Sequence, residues 1–437
     1  MHSKTTTHVL IFIIVCLVLG GTYSFFVLAK EKTVTVSNDA SAKDAADSVR
    51  NILEDALPEN VIAPVTPAPA STPTTEDMVV VTHIPTPEHV IAHYVSSWSF
   101  GSSKARARLT AIADDTDVNA MVIDVKDSTG MVAFDMPNKP KVVEFDSVEH
   151  RIRNPKSLIA ELHKKNIYAI ARIAVFQDGF LPLHQTDLAI QTKEAKPWKD
   201  RGGNYWVDQY SKELEEYILQ VSEGAYEVGF DEINFDYIRF PSEGNFDNIV
   251  FPNKPADDVR RKRDVIADFL KNVAGPLREK GIPVSIDVFG YVASRPDDIG
   301  IGQHLETLTP LVDFIAPMVY PSHYYKGSFN FDKPAEHPYG VIQQAMKIAV
   351  GRLQAIGEDP NKLRPWIQDF DMGAIYTKDM IREEIRATFD NNLDSFMVWN
   401  AANRYRSEAL IGTSEIRKLE PSQVSLNENV QPETPTQ

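Results

Sequence analysis

Apolar residues in this chain fall into short runs separated by stretches with helical spacing. The runs are Val90–Trp98, Ala120–Asp127, Tyr168–Gln177, Glu232–Phe240, Val284–Tyr291, Phe314–Tyr320, Arg364–Phe370 and Phe396–Asn400. Most are brief and rich in Val, Ile and aromatic residues, as strands buried on both faces are. Helical patterns lie between them, over Ser103–Ala113, Pro155–Lys165, Ser211–Tyr226, Asp258–Lys280, Gly340–Ile356 and Thr377–Asn391. Eight strands alternating with helices predict an α/β fold, a closed (β/α)8 TIM barrel, over residues 88–419. No G-x-G-x-x-G follows the first run and no P-loop is present, which argues against a nucleotide-binding open sheet.

The stretch Gly229–Pro241 alternates at period two. Glu232, Asn234 and Asp236 share one face, and Ile233, Phe235 and Tyr237 share the other. The apolar face is expected to pack outward on helices, leaving the polar face to look into the barrel. Inward carboxylates are costly unless paired or solvated. The C-terminal ends of barrel strands are where such groups are used. The alternative is a structural network in which Asp236 pairs with Arg239.

Polar groups collect at the same end of the other runs: Ser96-Ser97-Trp98, Asp124-Val125-Lys126-Asp127, Arg172 ahead of Gln177-Asp178, and Asp287 ahead of Gly290-Tyr291. Tyr320, Gln368-Asp369 and Trp399-Asn400 complete a ring. Neighbouring strands lie about 4.8 Å apart, so Asp236 and Asp287 can flank one substrate group. Two carboxylates driven to different pKa values supply the acid and the base or nucleophile of glycosidic bond cleavage. Alternatively, Asp287 caps the turn that follows it. Asp124 and Lys126 form an internal ion pair or bind substrate hydroxyls. Trp98, Trp198, Trp206 and Trp399 are candidates for stacking on sugar rings, whereas Trp366 is expected in the core. Arg172, Arg239, Tyr320, Gln368, Asp369 and Asn400 are further candidates for holding the sugar.

Val9–Ala29 is nearly all apolar and about long enough to cross a bilayer as a helix. Residues 1–29 therefore read as a transmembrane signal anchor, with Val27-Leu28-Ala29 offering cleavage as the alternative. Either reading puts the barrel outside the cytoplasm. Residues 30–87 form a Pro-, Thr- and Ala-rich linker, extended and stiff apart from a short amphipathic helix over Asp44–Leu57. Residues 420–437 are a polar tail, expected to be disordered. The net charge of −16, with no basic patch, argues against nucleic acid as a partner. The single Cys16 excludes a disulfide framework, and no metal-ligand motif, cofactor fingerprint or G-x-S-x-G is present. A metal-dependent deacetylase is disfavoured on that ground, and a non-catalytic carbohydrate-binding barrel remains the rival to a hydrolase.

The segments Gly202–Asp208, Gly229–Pro241, Ala171-Arg172-Ile173, Ala316–Tyr324 and Arg364–Phe370 resemble a bacterial family of glycoside-hydrolase-like domains. That family is assigned to (β/α)8 barrels and is distantly similar to α-amylase- and α-galactosidase-type barrels. The likeness runs from about Ala92 to Tyr405. It implies a sugar-directed barrel with Asp236 as nucleophile and Asp287, on strand five, as acid/base. The chain departs from amylase-type barrels at Asn234, where those have an arginine two residues before the nucleophile.

Overall fold

The computed structural model describes residues 6–19, 22–35 and 79–417. Eight parallel strands close into one barrel in sequence order. They are β1 Ile91–Val95, β2 Ala120–Lys126, β3 Tyr168–Ala174 and β4 Glu232–Asp236. β5 Val284–Phe289, β6 Phe314–Met318, β7 Trp366–Gln368 and β8 Phe396–Trp399 follow, and β8 pairs with β1.

Side-chain alternation divides the core in two. Ala92, Tyr94, Ala120, Val122, Tyr168, Ile170, Trp366 and Met397 pack in the lumen. Their strand neighbours, such as Met121, Ile123, Ala169, Ala171, Ile233 and Phe235, pack against the helices. Glu232, Asn234 and Asp236 thereby face inward, as the period of that run predicts.

The outer layer contains α1 Ser103–Asp115, α2 Pro155–Lys164, α3 Lys212–Glu227, α4 Lys262–Glu279, α5 Pro338–Ala355 and α6 Lys378–Phe389. Ser102, Ser211 and Thr377 cap three of them with side-chain oxygens, satisfying first-turn N–H groups. Several strands are shorter than their apolar runs. The first stops at Val95 because Ser96 caps the helix Ser97–Gly101. Only short helices, Gly290–Ser294 and Leu305–Leu308, follow β5 before the next strand begins.

The floor of the barrel is a buried polar plug. Arg364 Nη1 donates to both Glu232 oxygens, at 2.9 and 3.1 Å. Ser285 and Tyr168 hydroxyls add bonds of 2.6 and 3.2 Å. The segment entering β1 is fastened across this floor. Ile84 N donates to Asp231 at 2.8 Å, Thr86 bonds the Tyr168 hydroxyl at 2.9 Å, and Val90 N donates to Ser395 at 3.0 Å.

A separate unit pairs strands Thr6–Leu19 and Thr22–Thr35 antiparallel, where hydropathy predicts one helix over Val9–Ala29. That run is rich in Val, Ile, Phe and Thr, which also favour strands. No helix among the described residues is long and apolar enough to cross a membrane. The expected helix Asp44–Leu57 and the tail 420–437 lie outside the described residues.

Candidate active site

The C-terminal strand ends open on a cavity of about 470 Å³ whose lining includes Arg172, Asp236, Arg239, Asp287, Tyr320 and Trp399. Arg172 is its hub. Nη1 donates to Asp124 at 2.6 Å, Nη2 donates to Asp236, and Nε lies 3.7 Å from Asp287 Oδ2. Strand register produces this: Asp124 stands opposite Arg172, and Ala174, two residues on, stands opposite Asp236. Burial works against the Arg172 charge, but Asp236, Asp124, Tyr94 and Asp287 outweigh it and raise its pKa. Asp124 is raised by burial and partly brought back by Arg172, while its second oxygen accepts from the Tyr94 hydroxyl at 2.5 Å.

Strand β4 ends abruptly at Asp236. Tyr237 follows with φ +54, a left-handed conformation uncommon for an aromatic residue. Its N–H donates to Asp236 Oδ1 at 2.5 Å. Asp236 thus has a guanidinium on one oxygen and a backbone N–H on the other, a setting that solvates negative charge.

Asp287 is in the opposite condition. It is 1% exposed, and burial first, then the Asp236 charge, push its pKa from 3.8 up to about 8. Oδ1 accepts from Trp366 Nε1 at 2.8 Å and Asn234 Nδ2 at 3.1 Å. Two N–H donors occupy Oδ1, and Oδ2 accepts no hydrogen bond among the described residues. One cavity therefore presents a carboxylate with a hydrogen-bond donor on each oxygen and a buried carboxyl whose pKa is raised.

Residues 92–405 match the family described as "Putative glycosyl hydrolase domain". The chain belongs to that family. No curated protein matches the chain. Among solved structures, the PgaB (BpsB) glycoside hydrolase domain from Bordetella bronchiseptica is similar, with TM-score 0.56 and 15% identity over 74% of this chain and 98% of that one. The alpha-L-fucosidase isoenzyme 2 from Paenibacillus thiaminolyticus gives TM-score 0.50 and 13% identity, over 75% of this chain and 48% of that one. A hypothetical protein from Ruminiclostridium thermocellum shares 30% identity over 45% of this chain and 96% of its own, with TM-score 0.39. The first two likenesses agree with the barrel fold.

Within this glycosyl hydrolase domain, the carboxylate Asp236 pairs with Arg172 rather than with Arg239. Arg172 reaches Asp236 from strand three, and Asn234 donates to Asp287. Asp287 receives side-chain donors and does not cap the turn; Gln303 bonds the Phe289 N–H there at 2.9 Å. A register shift between Asp124 and Lys126 separates those two residues. Lys126 is fully buried, pairs with Asp178 at 2.7 Å and donates to Ala174 O, so it is not brought to the cavity.

Gln368, Asp369 and Asn400 are also buried, but they bond neighbouring loops. Gln368 accepts from Ser322, Asp369 from Arg406, and Asn400 donates to the Asp369 and Arg404 carbonyls. Trp98 is 59% exposed, outside the cavity lining, with Arg151 5.1 Å from its ring. Trp198 and Trp206 are buried in the long loop after β3, their indole N–H groups bonded to Asn245 O and Asp200. Trp399 lines the cavity and stacks on Tyr94 at 4.0 Å.

Sequence reasoning missed Tyr94, the Asn234 bond to Asp287 and the exposure of Trp366 to the cavity. Inward parity on β1 and β4 signals the first two. Trp366 is buried as expected, yet it lines the site. Among the described residues no cluster of three or more His, Cys, Asp or Glu side chains is placed to hold a metal.

Proposed function

We propose that this domain cleaves glycosidic bonds of a poly- or oligosaccharide, with Asp287 as general acid and Asp236 as nucleophile or base. The observation carrying this reading is the pair itself: two carboxyls line one cavity, one bonded to Arg172 and the Tyr237 N–H and the other buried with its pKa raised. In the reaction the bond from the anomeric carbon to the leaving oxygen breaks, and the Asp287 proton passes to that oxygen. Asp236 then either bonds the anomeric carbon or takes a proton from the water that does. Positive charge developing on the sugar ring is met by the Asp236 carboxylate. The rival, a non-catalytic binding barrel, expects no second carboxyl beside Asp236, so the presence of Asp287 favours the hydrolase.

The test is a panel of aryl glycosides and polysaccharides assayed with both Asn variants. Asp236→Asn should lose about a thousandfold or more in rate with its melting temperature preserved. Asp287→Asn should lose less on substrates whose leaving group departs without protonation. Cleavage by Asp236→Asn at the rate of the unmodified protein would refute the assignment.

The proposal extends to location. The apolar run Val9–Ala29 supports an anchor that holds the barrel outside the cytoplasm. A two-stranded ribbon has open edges that hydrocarbon does not tolerate, so this reading requires the run to become helical in lipid. Protease added to intact cells, freed of any outer membrane, should digest the barrel; digestion only after lysis would place it inside.

A further inference from the structure

Four arginines are buried among the described residues: Arg151, Arg172, Arg239 and Arg364. Three have carboxylate partners, at 2.6 Å for Arg151, 2.6 Å for Arg172 and 2.9 Å for Arg364. Arg239 has no ion pair among the described residues, although it is 8% exposed and lines the cavity beside Asp236. Rings surround its guanidinium instead: the Trp206 and Phe289 centroids both lie 4.6 Å away and Tyr237 lies at 5.7 Å. Aromatic contacts offset only part of the desolvation of a buried cation. Nη1 is used by Phe240 O at 3.1 Å and Ser242 Oγ at 3.4 Å. Nε and Nη2, the side-on fork of the guanidinium, make no hydrogen bond among the described residues.

A planar pair of N–H donors with its flanks walled by rings fits one chemistry closely, an oxyanion received edge-on by two parallel hydrogen bonds. We propose that Arg239 anchors an oxyanion carried by the sugar in the cavity, so that the substrate is an acidic glycan, with a uronic acid carboxylate as the planar match. This rests on the glycosidase reading and names its substrate class. The charge balance agrees with it. Arg172 is already committed to Asp124 and Asp236, so Arg239 is the cation of the lining left to receive a substrate anion. A neutral sugar would leave that cation buried with no carboxylate in contact, only the more distant charges of Asp236, Asp200 and Glu243.

The experiment uses the full chain as Asp287→Asn, which slows turnover, and calorimetry on sugar pairs differing only in oxidation at C6. The pairs are glucuronides and glucosides, galacturonides and galactosides, and mannuronides and mannosides, each as aryl glycosides and short oligosaccharides. Sulfate esters of the neutral members provide the second source of oxyanion. The acidic member of at least one pair should bind about tenfold or more tighter than its neutral partner. Adding Arg239→Met should weaken that binding about 100-fold and leave neutral sugars within about twofold. Arg239→Lys retains the charge but not the fork, and should fall between. Without ligand, Arg239→Met should melt no lower than its parent, because a buried unpaired charge has been removed.

Equal or tighter binding of neutral sugars overturns the anchor, as does binding of no acidic sugar. So does a loss in Arg239→Met that is the same for both classes and accompanied by a lower melting temperature. A response confined to sulfate esters keeps the oxyanion anchor and overturns the carboxylate as its source. Acidic sugars that bind but are never cleaved by the unmodified protein leave the anchor standing and refute the hydrolase. Preferential cleavage of neutral ones does the reverse.

Discussion

Glu232 and Asp236 occupy the two ends of the same strand, on the same face, and each meets an arginine: Arg364, just ahead of β7, and Arg172 of β3. Their surroundings differ. Glu232 is fully buried, and its oxygens are filled by Arg364, Ser285 and Tyr168. Asp236 lies at the wall of an open cavity whose other carboxyl has a raised pKa. Unpartnered guanidinium N–H groups do not separate the two ends, since Arg172 Nε and Arg364 Nε and Nη2 are all buried without a hydrogen-bond partner. A buried ion pair is thus not informative by itself. At the floor neutral donors close off the carboxylate, whereas at the mouth the carboxylate lines the cavity.

The sharpest way to break this comparison is to neutralise each end in turn. Asp236→Asn carries the thousandfold loss of rate described above. Glu232→Gln should show the opposite pattern. It leaves the Arg364 guanidinium buried without its counter-charge, at a cost of about 3–5 kcal/mol in stability, while activity per folded molecule stays unchanged. Chemical denaturation paired with active-site-normalised rates measures both. A large drop in specific activity for folded Glu232→Gln would mean that the two ends are not independent.

A smaller effect sharpens the contrast. Asp287 has a folded pKa of about 8 against 3.8 in the unfolded chain, so the folded state holds a proton that the unfolded state releases. The stability this group contributes is full below about pH 4 and is lost as pH rises through about 8. Asp287→Asn removes that dependence. It should melt above the unmodified protein at pH 8, with the gap closing towards pH 4. The rate of the unmodified protein should fall above about pH 8 as the acid loses its proton. Melting curves whose difference is the same at both pH values would show that Asp287 is ionised throughout.

The barrel was legible because its strands are apolar on both faces and its helices carry caps such as Ser211 and Thr377. Period two in Glu232–Asp236 disclosed which side chains look inward, and strand ends singled out Arg172, Asp236 and Asp287. Other candidates are placed away from the cavity for local reasons. The register shift after Asp124 cancels the parity that sets Lys126 on the same face, and Asp178, distant in sequence, takes the lysine. Polar residues after β7 and β8 look alike whether they meet a ligand or a loop carbonyl, and Gln368, Asp369 and Asn400 meet loops. Trp206 has the composition of a sugar platform but is sunk in its loop, where it walls Arg239. Hydropathy over Val9–Ala29 does not distinguish a helix from strands, because β-branched and aromatic residues satisfy both.

The fastening of residues 84–90 across the barrel floor gives the domain two unlike ends. The segment that enters β1 lies at the end opposite the cavity, so it does not obstruct the mouth. Access to Asp236 and Asp287 is therefore governed by the loops that follow the strands, and changes in residues 84–90 should reach the site only through the stability of the barrel.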